Sequence, residues 1–218
     1  MAIYFAGYLS PVRNKLGNAV GRKWRTLDVL AVYNGRPRNP RTNSQQIVRS
    51  RFASAASTAR AFDSAVKIGF KPICDGTPIP ERSMFIKKNW EHFTCDTPGS
   101  VTVEWSSLVI SEGSFAAPVL ANATFTNPLE VDVAQTETTS AEGALATDIV
   151  RLFVYAPEAN AGILGEAEDR ATSTLKVLVP AQMVGLRVHV WGFCYGASGS
   201  ANAGKVSNSL YLGSGSIQ

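Results

Sequence analysis

The segment GSANAGKV, residues 199–206, has the glycine–lysine spacing of a phosphate-binding loop. In such a loop glycines let backbone amides approach the phosphates, and a lysine meets their charge. A following Ser or Thr holds magnesium at a helix N-terminus. Here Val206 stands where the hydroxyl residue is needed, and the next residues, SNSLYLG, have the pattern of a strand. Without a helix N-terminus the anion site lacks its amides and its dipole. The segment is read as a Gly/Ser-rich hairpin between the last two strands.

The other residues capable of chemistry are dispersed. His92 and His189 are the two histidines, and neither has a second ligand at the spacing of a motif such as H-E-x-x-H. Both are read as packed or half-exposed. Glu166, Glu168 and Asp169 cluster in GEAEDR, which is too short for a calcium loop and reads as a solvated turn. Cys74, Cys95 and Cys194 are odd in number and widely spaced, so they give neither a disulfide framework nor a CxxC metal pair. They are read as reduced thiols of a protein made in the bacterial cytoplasm. No G-x-S-x-G elbow and no informative Cys/His pair is present. The expectation is a chain with no catalytic, cofactor-binding or metal-binding residues: not an enzyme, and using no cofactor.

Charge is the stronger signal. The 218 residues are 45% hydrophobic and 17% charged, which suits a folded chain rather than a disordered one. The net charge of +4 conceals a split along the sequence. Residues 1–71 hold 13 Lys/Arg against Asp28 and Asp63, a net +11; residues 72–100 are at −1; residues 101–218 are at −6. A basic head of this kind can bind phosphate backbones, or it can meet the acidic body of a second copy. The candidate interaction residues are Arg13, Lys15, Arg22, Lys23, Trp24, Arg25, Arg36, Arg38, Arg41, Arg49 and Arg51. Trp24 lies between Lys23 and Arg25, where its burial would need a partner surface. The opening MAIYFAGYLSPVRNK does not read as a signal peptide, and no window reaches the ~18–20 apolar residues of a membrane span.

These residues must be positioned by elements that the pattern also predicts. Ala19–Trp24 and Leu27–Tyr33 are β-capable runs within an extended arm or strands over 3–35. GRPRNP then acts as an extended connector, because each proline restricts the residue before it. Val48, Phe52, Ala55, Ala59, Phe62 and Val66 recur at spacings of four and three. That spacing predicts a helix over 43–68, capped by Thr42, Asn43 or Ser44, with its arginines off the apolar stripe. A shorter helix is expected over 80–93, and CDTPGS marks a boundary between a basic N-terminal region, 1–99, and a β-domain, 100–218. Beyond it the period changes from 3.6 to 2: SVTVEW, LEVDVAQ, IVRLFVYAP, TLKVLVP and GLRVHVWGFCYG read as strands, and GSGSIQ as a tail. The fold class expected is α+β: a basic arm or hairpin, one long and one short helix, then an antiparallel immunoglobulin-like β-sandwich.

GNAVGRKWRTLDVLAVY, NPRTNSQQIVRSRFA, VHVWGFCYG and KVSNSLYLG together resemble an uncharacterised family, a domain of unknown function seen in Bacteroidota and in phage-like settings. The resemblance covers nearly the whole chain and transfers no catalytic residue. It implies a basic N-terminal region, a helix and a C-terminal β-sandwich. The expected function is a non-enzymatic structural protein, a bacteriophage virion component of tail, head or decoration layer. Its partners would be other copies of itself and other assembly proteins. The alternatives are a nucleic-acid-binding module using the basic region, and a carbohydrate- or surface-binding sandwich.

Overall fold

The computed structural model describes residues 2–4, 14–25, 27–33, 35, 39, 41–127, 129–136 and 143–217. Four short strands come first: β1 (Ala2–Tyr4), β2 (Asn14–Leu16), β3 (Ala19–Trp24) and β4 (Leu27–Val32). They form an antiparallel sheet in the order β1-β4-β3-β2. Gly17, at φ +57, makes the β2–β3 turn, a left-handed position that glycine takes at no steric cost.

The helix expected over 43–68 is two helices. α1 (Asn43–Ala61) ends at Phe62, which has φ −86 and ψ 3, and α2 (Asp63–Gly69) continues from it. Neither Gly nor Pro lies at the break. Phe62 seats there among four rings: Phe153 at 4.6 Å, Tyr155 at 4.7 Å, Trp191 at 5.3 Å and Phe85 at 5.4 Å between centroids. Packing therefore sets the bend. Aromatic pairs at this range contribute ~0.5–1.5 kcal/mol each beyond simple burial. Thr42 is the N-cap residue but makes no side-chain cap bond.

α3 (Lys71–Cys74) follows, with Pro72 in its first turn. The helix expected over 80–93 is shorter: α4 (Glu81–Asn89) passes into a 3-10 turn at Trp90–His92, and Phe93 already belongs to a strand. Buried Asn89 clamps α4 to the segment after residue 107. Its Nδ2 donates to the Phe85 carbonyl at 2.9 Å and to the Val109 carbonyl at 2.8 Å, and its Oδ1 accepts from the Val109 amide at 2.7 Å. Gly69 lets the same segment approach α2, since a Cβ there would stand 2.3 Å from the Ile110 carbonyl oxygen.

β5 (Phe93–Thr97) and β6 (Ser100–Val103) form a hairpin, and β5 packs on α1. The CDTPGS stretch, expected as a domain boundary, spans the turn of this hairpin. Beyond it come β7 (Val119–Leu120), β8 (Glu130–Thr136), β9 (Ile149–Ala156), β10 (Ala161–Leu164), β11 (Glu168–Asp169), β12 (Thr174–Leu178), β13 (Arg187–Tyr195) and β14 (Leu210–Ser216). One sheet runs β10-β9-β13-β14, with β11 also on β9; the other runs β12-β8-β7. All these pairings are antiparallel, and the two sheets make an immunoglobulin-like sandwich within an α+β fold.

The β9–β13 sheet is buried on both faces. Val150, Leu152, Val154, Val188, Val190 and Cys194 meet Val131, Val133, Leu175 and Val177 of the second sheet. Phe153, Tyr155, Trp191 and Phe193 point the other way, into a core shared with Ala55, Ala59, Phe62, Val66 and Phe85 of the helices. The helices thus form a third layer, and one core crosses the expected 99/100 division. GSGSIQ is not a tail. Its first residues complete β14, and Ile217 is buried in the core between the sheets.

Candidate functional site

Of the described side chains in the N-terminal sheet none belongs to either core, although Val29 is buried outside them. The sheet nevertheless carries apolar side chains: Leu16, Trp24, Val32 and Tyr33 are all exposed, Trp24 to 47%. Trp24 pairs with Leu27 across the β3–β4 hairpin, and Arg22 pairs with Val29, so cation and apolar groups share one face. Lys15 lies over the Tyr33 ring, 4.1 Å from its centroid. Arg22, Lys23, Trp24 and Val29 line a concavity of about 450 Å³. The N-terminal half of α1 also exposes apolar side chains. Val48 and Phe52 continue the core stripe of the helix, yet they are 55% and 54% exposed.

All the expected interaction residues that the structure describes are exposed except Arg51, which is half-buried. Three of them make bonds that reach beyond their own element. Arg25, at φ 52 in the β3–β4 turn, donates from Nη1 to the carbonyls of Thr77 at 3.1 Å and Ile79 at 2.6 Å, and its Nη2 lies 3.7 Å from Glu81. Arg49 bonds the Asn39 side chain. Arg51 bonds the Trp90 carbonyl and stacks 4.1 Å over the Trp90 ring. Arg51 therefore belongs to the packing of α1 on the Trp90 turn. Arg13, Arg36 and Arg38 lie outside the described residues.

An acidic counterpart stands on the open edge of the sandwich. Glu130, Glu166 and Glu168 line a cleft of about 510 Å³ with Ile163, Val177 and Leu178, and Leu178 is 77% exposed. Among the described residues Lys176 is the one cation lining it, and Glu130 at 2.8 Å and Asp132 at 3.7 Å neutralise it. The GEAEDR segment, expected as a turn, contributes Glu168 and Asp169 as the short strand β11 against Val150 and Ile149.

A third concave site is lined by Trp105 and Ser106 of the 3-10 turn Trp105–Ser107. Periodicity placed Trp105 on a strand face and His189 on β13 but gave no sign that they meet. Their rings are 5.6 Å apart, and His189 Nδ1 is 2.8 Å from the Tyr211 hydroxyl. Burial, then the nearby Arg187 guanidinium, lowers the His189 pKa from 6.5 to about 4. The imidazole is neutral at pH 7. His92, the other histidine, has its Nδ1 3.2 Å from Glu104.

The 199–206 loop connects the last two strands, as its composition suggested. Asn202 is buried and donates to the Gly143 carbonyl at 2.6 Å and to both Asp148 oxygens at 3.2 Å, while Lys205 donates to its Oδ1. This is a structural tie across one end of the sandwich. Among the described residues no group of His, Cys, Asp and Glu could hold a metal ion, and no helix is long and apolar enough to cross a membrane.

Comparison with curated proteins finds no match. Among solved structures, the fibronectin type III domain of the human collagen alpha-1(XX) chain aligns at 15% identity with a TM-score of 0.32. That alignment covers 50% of this chain and 85% of that one, and the assignment of the sandwich rests on its strand order instead. The model of a family of unknown function (DUF6266) matches residues 11–213, and the chain belongs to that family.

Proposed function

We propose that the chain is a non-enzymatic assembly protein that docks its N-terminal sheet on an acidic face of a neighbouring copy. The observation that carries this reading is an N-terminal sheet none of whose described side chains enters either core, with Trp24 exposed on one face and Leu16 and Val32 exposed on the other. Small isolated sheets are marginal in water and gain stability by covering an apolar face. The cleft at Glu130, Glu166, Glu168 and Leu178 supplies the matching chemistry, acidic at the rim and apolar on the wall. Long-range attraction would steer the encounter, and burial of Trp24 would hold it. The resemblance to a family seen in phage-like settings supports reading such an assembly as part of a bacteriophage virion, a tail, head or decoration component.

A charge swap tests this reading. Lys23→Glu should weaken self-association, and so should Glu166→Lys with Glu168→Lys. Mixing the two variants should restore it. A nucleic-acid module would instead show affinity for DNA or RNA falling steeply with salt. Engagement of Arg25, Arg49 and Arg51 inside the chain favours the protein partner over the phosphate backbone.

A further inference from the structure

The cleft under Trp105 takes no part in the assembly surface. Its volume is about 520 Å³, within the ~300–1,000 Å³ typical of small-molecule sites. Aromatic rings form its apolar wall. Trp105 rests against Tyr155 at 5.2 Å and His189 at 5.6 Å, and Tyr211 stands 6.0 Å from His189. Rigid elements fix these rings, because His189 and Tyr211 sit on paired strands β13 and β14.

Polar groups line the same cleft. Glu104 and Glu158 offer carboxylate acceptors, and Arg187 offers guanidinium donors while bonding Ser214 Oγ at 3.0 Å. A full anion would meet two carboxylates there, and a full cation would meet Arg187. A ligand that is neutral and both gives and accepts hydrogen bonds is opposed by neither. Adjacent hydroxyls of a sugar ring donate to carboxylates and accept from guanidinium, and the C–H face of the ring covers an aromatic side chain. We propose that this cleft binds a short neutral oligosaccharide, with Trp105 as the stacking platform and Glu158 and Arg187 as the hydroxyl-reading groups. The proposal is independent of the assembly reading, since it concerns a different surface.

The test is titration of the full chain with neutral oligosaccharides of glucose, galactose, mannose and N-acetylglucosamine, read by tryptophan fluorescence and calorimetry. At least one should bind with a Kd below about 1 mM. Trp105→Ala should weaken that binding at least tenfold. Because Trp105 also packs on Tyr155, Glu158→Gln and Arg187→Gln are the second test: each should weaken binding several-fold while leaving the melting temperature unchanged. Failure of every oligosaccharide to bind up to about 10 mM overturns the proposal. So does binding that is indifferent to all three substitutions, or a site that takes tripolyphosphate or oligolysine in place of the saccharides.

Discussion

The Arg25 guanidinium donates to the Ile79 carbonyl at 2.6 Å, and this bond joins the N-terminal sheet to the helical layer. The Thr77 carbonyl and Glu81 complete the latch. Arg25 holds φ 52, which a side chain other than glycine adopts at a cost, so the turn and the latch are coupled.

Arg25→Ala should therefore loosen the sheet without unfolding the body. Hydrogen bonds from a charged donor contribute about 1.5–3 kcal/mol, less where water competes as it does at this part-exposed site. Amide exchange within 14–33 should accelerate while that of β9 and β13 stays as before, as measured by hydrogen-exchange mass spectrometry. Equal acceleration in both regions would show that the latch is part of the global fold.

Phe52 and Phe62 lie on one helical stripe in sequence but differ in burial, 54% exposed against 0%. Phe62→Ala should cost about 3–5 kcal/mol in denaturant unfolding, since it empties the centre of an aromatic cluster. Phe52→Ala should change the stability of the monomer by no more than about 0.5 kcal/mol. Comparable losses in the two variants would mean that Phe52 is covered in solution.

His189 gives the fold an acid-sensitive term. The unfolded chain takes up the imidazole proton near pH 6.5 and the folded chain only near about 4, so the unfolded state binds more protons between these values. Stability supplied by neutral His189 is full above pH 6.5 and is lost as pH falls toward 4, amounting to about 3 kcal/mol at most. His189→Gln should flatten the fall in melting temperature across that window. Asp63, whose Arg82 and Lys67 partners hold its pKa at about 2, acts only below about pH 4 and should be unaffected.

The thiols should divide by burial. Burial pushes the Cys194 pKa up to about 12 and raises that of Cys74, whereas Cys95 is part-exposed. Under native conditions a thiolate-directed alkylating reagent should label one cysteine per chain, and peptide mapping should place the label at Cys95. Labelling of Cys194 in the native protein would contradict its place between the sheets.

Much of the sandwich is legible in the sequence because period two is local. Val131 with Val133, and Leu175 with Val177, must share a face wherever the strand goes. What covers a face is not local. IVRLFVYA reads as a buried run, but only the fold shows Val150, Leu152 and Val154 meeting the second sheet while Phe153 and Tyr155 meet Phe62. The helical stripe misleads in the same way. Its period ties Val48 and Phe52 to Phe62, yet the body does not extend far enough to cover the first turns of α1. The charge of the N-terminal region was plain from composition, but not its division between exposed Lys23 and engaged Arg51. That depends on Trp90, 39 residues away in sequence.

The central claim, that the N-terminal sheet docks on an acidic face of a second copy, is tested most directly by sedimentation velocity over a concentration and salt series. The account predicts reversible self-association that weakens as salt rises, is lost in Lys23→Glu and in Glu166→Lys with Glu168→Lys, and returns when the two variants are mixed. A single monomeric species at low salt and concentrations up to about 1 mM would contradict it.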